Sequence, residues 1–378
     1  MSPSTSTSTS TSTSTSTSTS TVKPTTRKVA LIMAAGTGGH VFPALAVAHA
    51  LVAQGYDIHW LGTPYGMEQN LVPAAGYPLH AVNIRGLRGK GIKGLILAPW
   101  RIALATWQSL AVIRAIKADI VVGFGGYIAG PGGVAARLAG VPLLIHEQNA
   151  IAGMTNRWLN RIAHLSLQAF PGALSGAVTV GNPVRRELAE LPVRAVPPSD
   201  PLNVLVVGGS LGAAALNDVV LTCWQGLAAD QRPNLRHQVG KRDYERMLAA
   251  YDASNVVAEV SAFIDDMAAA YGWADLMICR SGALTVSEIA AVGKAAIFVP
   301  FPYAVDDHQT VNAGYLADAG AALIRQQKDL TPEWLQHTLG LLNQDRSRLQ
   351  TMADQSRAQA RPDATALAVE QIMRKTRD

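Results

Sequence analysis

The sequence predicts an α/β protein of two Rossmann-like domains facing each other across a cleft. Three observations predict it: a repeated strand, turn and helix pattern, a restart of that pattern midway along the chain, and a glycine loop opening each half. Alternating strands and helices imply parallel sheets covered by helices on both faces. At roughly 150 residues per domain, 378 residues suggest two domains. Hydrophobic residues make up 48% and charged residues 16%, which excludes a wholly disordered chain.

Residues 1–26 stand outside this pattern. Ser4 to Thr21 is a strict Ser-Thr alternation, with no side chain able to build a core, so it reads as a disordered tail. A secretory signal would need a basic start and an apolar run, and neither precedes Val22. Two cysteines, Cys223 and Cys279, cannot form a disulfide framework, so a reducing compartment is expected.

From Arg27 the rhythm begins. Lys28–Ala35 reads as a buried strand, followed by Gly36-Thr37-Gly38-Gly39-His40 and a helical pattern to Gln54. Asp57–Leu61, Ile120–Phe124 and Val141–His146 read as further strands. Leu191–Pro201 carries four prolines and reads as a surface connection. Asn203–Val207 restarts the pattern and ends in Gly208-Gly209-Ser210-Leu211-Gly212, with later strands at Val256–Val260, Leu276–Cys279 and Ala296–Pro300. We divide the chain into a tail (1–26), a first domain (27–184) and a second domain (185–362), with a last helix in 363–378 packing back on the first.

Ligands of open parallel sheets bind beyond the carboxyl ends of the strands. Three glycine loops fall there: Gly36–His40, Gly125–Gly133 and Gly208–Gly212. Any one of them is explained as a tight turn. Together they favour a phosphate-bearing ligand, held by backbone N–H groups at helix starts. No P-loop signature is present, and the single G-x-G-x-x-G, Gly89 to Gly94, carries two lysines and does not close a strand, so it reads as a basic loop. Arg280–Glu288 follows another strand, and Glu288 is placed either to take a ribose diol or to face solvent. Asp306-Asp307-His308-Gln309 reads as a surface loop or a sugar contact; no metal site and no cofactor are expected, divalent-ion stimulation being left open. His146-Glu147-Gln148-Asn149 is polar at a strand end.

Charge is unevenly spread. The net charge is +5, yet between Glu68 and Asp119 there is no acid and there are seven basic residues: Arg85, Arg88, Lys90, Lys93, Arg101, Arg114 and Lys117. This points to an anionic partner. Gly94 to Ile113 has the length of a membrane span, but a central Arg101 would cost about 2.5–3.5 kcal/mol, and Pro99, Thr106, Gln108 and Ser109 also oppose it. Ile96, Trp100, Leu104 and Trp107 share one helical face, flanked by Lys90, Lys93 and Arg101. We read this as an interfacial helix on anionic lipid, the alternative being a core helix.

Nine stretches, in order, resemble one family: GTGGHVFPALAVA (36–48), LRGKGIK (87–93), GGYIAGPGG (125–133), HEQNAIAG (146–153), GNPVR (181–185), VVGGSLGA (206–213), FIDDMAAAY (263–271), CRSGALTVSEIA (279–290) and DDHQTVNA (306–313). It is the MurG family of bacterial N-acetylglucosaminyltransferases. The resemblance runs from Lys28 to Ala364, departing at Leu211, where some members carry Gln. It implies a GT-B fold. It also implies inverting transfer of N-acetylglucosamine from UDP-N-acetylglucosamine to the 4-hydroxyl of the muramyl sugar of undecaprenyl-pyrophosphoryl-MurNAc-pentapeptide, in peptidoglycan synthesis. The protein would sit peripherally on the cytoplasmic face of the bacterial inner membrane, with no nucleic-acid partner. By matching position, Thr37, Gly38, Gly39 and Asn149 would touch the donor, Arg185 and Ser210 the diphosphate, and Ile264 the uracil edge. Ala283, Leu284, Thr285, Val286, Ser287 and Glu288 would line the donor, with Glu288 on the ribose and Gln309 on the sugar hydroxyls. His40 is the candidate catalytic base, because an imidazole titrates near working pH, and Glu147 is the rival. The alternative enzyme is a UDP-N-acetylglucosamine epimerase of related fold, and a third reading is a nucleotide-sugar-binding regulator without chemistry.

Overall fold

The computed structural model describes residues 27–84, 97–192, 195–196, 201–209 and 212–376. The Ser-Thr tail and the basic loop Gly89 to Gly94 lie outside them.

The first sheet has seven parallel strands in the order β3-β2-β1-β4-β5-β6-β7. These are β1 (Val29–Met33), β2 (Asp57–Gly62), β3 (Leu79–Ala81), β4 (Ile120–Gly123), β5 (Leu143–Glu147), β6 (Leu165–Gln168) and β7 (Val178–Thr179). The second sheet has six, β10-β9-β8-β11-β12-β13, all parallel. They are β8 (Asn203–Val207), β9 (Asn234–Gln238), β10 (Glu259–Ser261), β11 (Leu276–Cys279), β12 (Ala295–Phe298) and β13 (Ala322–Ile324). Central strands such as β4 and β11 are buried along their length, as parallel strands covered on both faces must be.

Both sheets reverse their order beside the first strand of each half. Those switch points lie between β1 and β4 and between β8 and β11, where a doubly wound sheet opens its crevice. All three glycine loops and Arg280–Glu288 follow one of these four strands.

The chain ends in the helix Ala364–Lys375, whose Ala368, Val369 and Ile372 are buried in the core of the first sheet with residues of the helix Gly38–Ala53. Ile372 is fully buried, so Ile372→Ala is expected to cost about 2–5 kcal/mol of stability. Urea denaturation measures this, and a loss under 1 kcal/mol would mean the helix is not part of that core.

The sequence reading missed β3, β6, β7, β9 and β13. β9 reads Asn-Leu-Arg-His-Gln, too polar to look like a buried strand. It forms because β8 and β10 supply its hydrogen-bond ladders and His237 is satisfied by Tyr251 Oη (2.8 Å) and Asn217 Oδ1 (3.1 Å).

Candidate active site

The first wall of the cleft is built on β1 and β4. Gly36 takes φ +99°, a left-handed conformation that suits only glycine at low cost. Thr37 is extended and precedes the helix Gly38–Ala53, so Gly38, Gly39 and His40 form its first turn. That turn directs N–H groups and the positive end of the helix dipole into the cleft. The second glycine loop backs onto it. A Cβ on Gly125 would come within 2.8 Å of the His40 ring, and one on Gly126 within 2.4 Å of the Ala35 carbonyl. The glycines are there for this close approach.

His40 is half-buried. Burial lowers its pKa from the usual histidine value, against the raising effects of Glu147, the Ala35 carbonyl and Glu68; His308, across the cleft, lowers it further. A lowered pKa keeps the ring neutral at neutral pH, the form a general base needs.

Glu147, the rival base expected from the sequence, closes β5. It is 2% exposed. Its carboxylate accepts from the Asn149 N–H (2.9 Å), Asn149 Nδ2 (3.2 Å), the Gly153 N–H (3.2 Å) and Asn156 Nδ2 (2.9 Å). With four donors it braces the loop after β5. His146, stacked on Phe124 at 5.5 Å, is wholly buried, and its Nε2 is 2.9 Å from the Gly181 carbonyl. Burial pushes it down to about 4, so it stays neutral and structural.

The second wall is built on β8 and β11. The helix Ala283–Val292 starts at the end of β11. Leu284, Thr285 and Ser287 are half-buried, whereas Ala283, Val286 and Glu288 are buried. The side chains of Ala283 and Val286 lie in the core, so any contact these two make with a donor comes from their backbone. Glu288 accepts from Arg185 Nη2 (3.2 Å) and Tyr271 Oη (3.1 Å). Burial raises its pKa, and Arg185 opposes that. Arg185 also lies 5.5 Å from the centre of the Phe42 ring, on the first wall. The expected diphosphate and ribose contacts are thus paired with each other. Gln309 accepts the Phe301 N–H (2.9 Å), at the start of a helix led in by Asp306 and Asp307 with φ of 55° and 50°. Ile264 is half-buried beside exposed Phe263. Ser210 lies outside the described residues.

The walls touch through Asn312, which the sequence reading missed. Fully buried, it accepts the Ala150 N–H (2.8 Å) and donates to Asn149 Oδ1 (3.3 Å) and the Ser281 carbonyl (3.3 Å). Asn149, expected on the donor, serves here as a clasp between the walls. Gln238 was missed too: it accepts the Gly209 N–H (3.2 Å) and donates to the Gly209 (3.2 Å) and Ala262 (3.0 Å) carbonyls, tying the third glycine loop to the segment before Ile264. Its only sequence signal is a polar residue closing a strand.

On the outer face of the first domain, the helix Ala98–Ile116 buries Ala98, Ala105, Ser109 and Ile113. It exposes Trp100 (72%), Trp107 (66%) and Leu104 (42%), with Arg101 exposed among them. Trp100 and Trp107 are therefore not core residues. Lys90, Lys93 and Ile96 lie outside the described residues. Among the described residues no helix is long and apolar enough to cross a membrane, and no cluster of three or more His, Cys, Asp or Glu side chains could hold a metal.

Two Rossmann domains that meet at facing switch points, with helix starts and an arginine on one wall and a histidine on the other, are the arrangement of two-domain nucleotide-sugar enzymes, the glycosyltransferases among them. The family comparisons agree. Residues 30–166 match the glycosyltransferase family 28 N-terminal domain and residues 203–367 its C-terminal domain. The chain belongs to glycosyltransferase family 28 and is a hexosyltransferase. It is 54% identical, over 90% of its own length and 94% of the relative's, to the UDP-N-acetylglucosamine--N-acetylmuramyl-(pentapeptide) pyrophosphoryl-undecaprenol N-acetylglucosamine transferase of Burkholderia orbicola. The crystal structure of Acinetobacter baumannii MurG superposes with a TM-score of 0.77 at 46% identity, over 92% of this chain and 99% of that one. A putative UDP-N-acetylglucosamine 2-epimerase from Listeria monocytogenes superposes with a TM-score of 0.65 at 12% identity, over 92% and 96% of the two chains, a likeness of fold alone.

Proposed function

We propose that this enzyme moves N-acetylglucosamine from UDP-N-acetylglucosamine to the 4-hydroxyl of the muramyl sugar of undecaprenyl-pyrophosphoryl-MurNAc-pentapeptide, with inversion. The observation that carries this reading is the pair of facing switch points, each fitted with helix starts and glycine loops, in a chain 54% identical to a relative bearing that name. The donor lies on the second wall. Glu288 takes the ribose diol, Ile264 the uracil edge, Gln309 the sugar hydroxyls, and Arg185, Ser210 and the helix starts the diphosphate. Thr37, Gly38 and Gly39 meet the donor from the first wall.

Transfer then proceeds in one displacement. The acceptor 4-hydroxyl oxygen attacks the anomeric carbon while its proton passes to neutral His40. The bond from that carbon to the UDP oxygen breaks, and the charge gathering on UDP is met by preorganised donors. The product continues peptidoglycan synthesis, and so cell shape and division. UDP release is expected only when the lipid-linked muramyl acceptor is present. Conversion of donor alone to the mannosamine epimer would replace this reading with the epimerase.

A nucleotide-sugar donor used together with a lipid-linked acceptor supports a peripheral position on the cytoplasmic face of the plasma membrane. The exposed Trp100, Leu104 and Trp107 face supports this, because an apolar surface that also carries an exposed cation, Arg101, suits anionic lipid. Trp100→Glu combined with Trp107→Glu is expected to weaken binding to phosphatidylglycerol vesicles by on the order of tenfold or more, with UDP affinity unchanged. Unchanged vesicle binding in a flotation assay would remove the membrane from this face.

A further inference from the structure

Glu68 is a buried carboxylate that the reaction above does not use. It is fully buried at the start of the helix Glu68–Ala74, on the loop after β2. Oε2 accepts the N–H of Gly36 (2.9 Å), the residue that opens the first glycine loop. Oε1 accepts the Thr63 N–H (3.0 Å) and the Thr63 hydroxyl (2.7 Å). The neighbouring Met67 N–H donates to the Gly36 carbonyl (3.3 Å). Both polar groups of Gly36 are therefore held by one short segment.

Two glycines make room for this carboxylate. A Cβ on Gly66 would fall 2.0 Å from Glu68 Oε2, and one on Gly62 2.8 Å from Glu68 Cγ. The stretch Gly62-Thr63-Pro64-Tyr65-Gly66-Met67-Glu68 is thus a cradle fitted around one side chain. Each hydrogen bond to the carboxylate comes from an N–H or O–H donor.

We propose that Glu68 is a positioning residue for sugar transfer: it fixes Gly36, and through it Thr37 and His40, in the geometry that reaction requires. Gly36 sits four residues before His40, and its left-handed backbone sets the direction in which the helix starts. Holding Gly36 at both its N–H and its carbonyl removes freedom the loop would otherwise lose on the way to the transition state. The carboxylate also favours a protonated imidazole at His40; the other groups acting on that ring are Glu147, the Ala35 carbonyl and His308. This role rests on the reading of His40 as base.

Glu68→Gln tests it, since the amide keeps the size but loses the charge and turns an N–H₂ toward an N–H. Acceptor-dependent kcat is expected to fall about ten- to a hundredfold, the worth of a charged hydrogen bond. UDP affinity by equilibrium titration should stay within about threefold, because Ile264, Glu288, Arg185 and Ser210 hold UDP on the second wall and only Thr37, Gly38 and Gly39 reach the donor from the first. The acidic limb of the pH–rate profile should move to lower pH, because removing a nearby anion makes His40 easier to deprotonate. A merely structural residue would lower the yield of folded enzyme without moving that limb. Should Glu68→Gln fail to fold, Thr63→Val removes one contact and keeps the charge; it is expected to lower kcat less and leave the limb in place. Near-parental kcat in either variant, or an unmoved limb in a folded Glu68→Gln enzyme, overturns the proposal. The His40→Ala enzyme separates the two ideas: if it keeps the parental limb, the base reading fails by itself.

Discussion

His40→Ala is expected to lower kcat about 10²–10⁴-fold, the usual share of a general base, while UDP affinity stays near parental. The size of this effect follows from placement. The imidazole stands at the first turn of the helix Gly38–Ala53 with a glycine beneath it, and burial keeps it neutral. Alanine leaves the loop's glycine geometry intact, so the loss should appear in kcat and not in donor binding. Activity of the parent should fall as pH drops through the lowered pKa of His40, since protonation removes the lone pair that takes the acceptor proton. In the variant that acidic limb should disappear. Near-parental kcat, or a loss matched by lost donor binding, would move the base elsewhere.

Glu288→Gln should have the next largest consequence. The carboxylate is held between Arg185 and Tyr271, so a ribose diol arriving there would meet an oriented acceptor. Replacing it is expected to raise the donor dissociation constant about ten- to a hundredfold, a charged hydrogen bond being worth roughly 1.5–3 kcal/mol. Glutamine is preferred to alanine because Arg185 would otherwise lose its buried partner outright, a folding cost separate from binding. The parent should prefer the ribose donor over the 2′-deoxy donor, and the variant should lose that preference. Burial raises the Glu288 pKa, so on acidification donor affinity should decline from a higher pH than an exposed carboxylate would give. A variant that still discriminates against the deoxy donor as the parent does would free Glu288 of the ribose role.

Much of the fold was legible because buried parallel strands leave a local trace. Asn203–Val207 and Leu276–Cys279 are short apolar runs that end at glycine or polar turns, and both strands have those bounds in the structure. The glycine loops were legible for a related reason: Gly36, Gly125, Gly126, Gly209 and Gly212 take positive φ, which few other residues tolerate. Glu147, by contrast, looked like a reactive acid at a strand end. Its four N–H donors come from residues up to nine positions away, and only the folded loop reveals that they converge.

The sequence by itself determined two parallel sheets, the strand ends at which ligands gather, and the histidine, arginine and carboxylate set along them. These are local matters of apolar runs and of backbone conformations that require glycine. Tertiary structure alone decided what each polar group faces. Glu68 meets Gly36 from 32 residues away, and Asn312 meets Ala150 from 162. It also decided that Trp100 and Trp107 stand in the open. Hydrogen bonds and burial depend on which segments meet in space, and a strand or helix pattern constrains that only after the sheets have assembled.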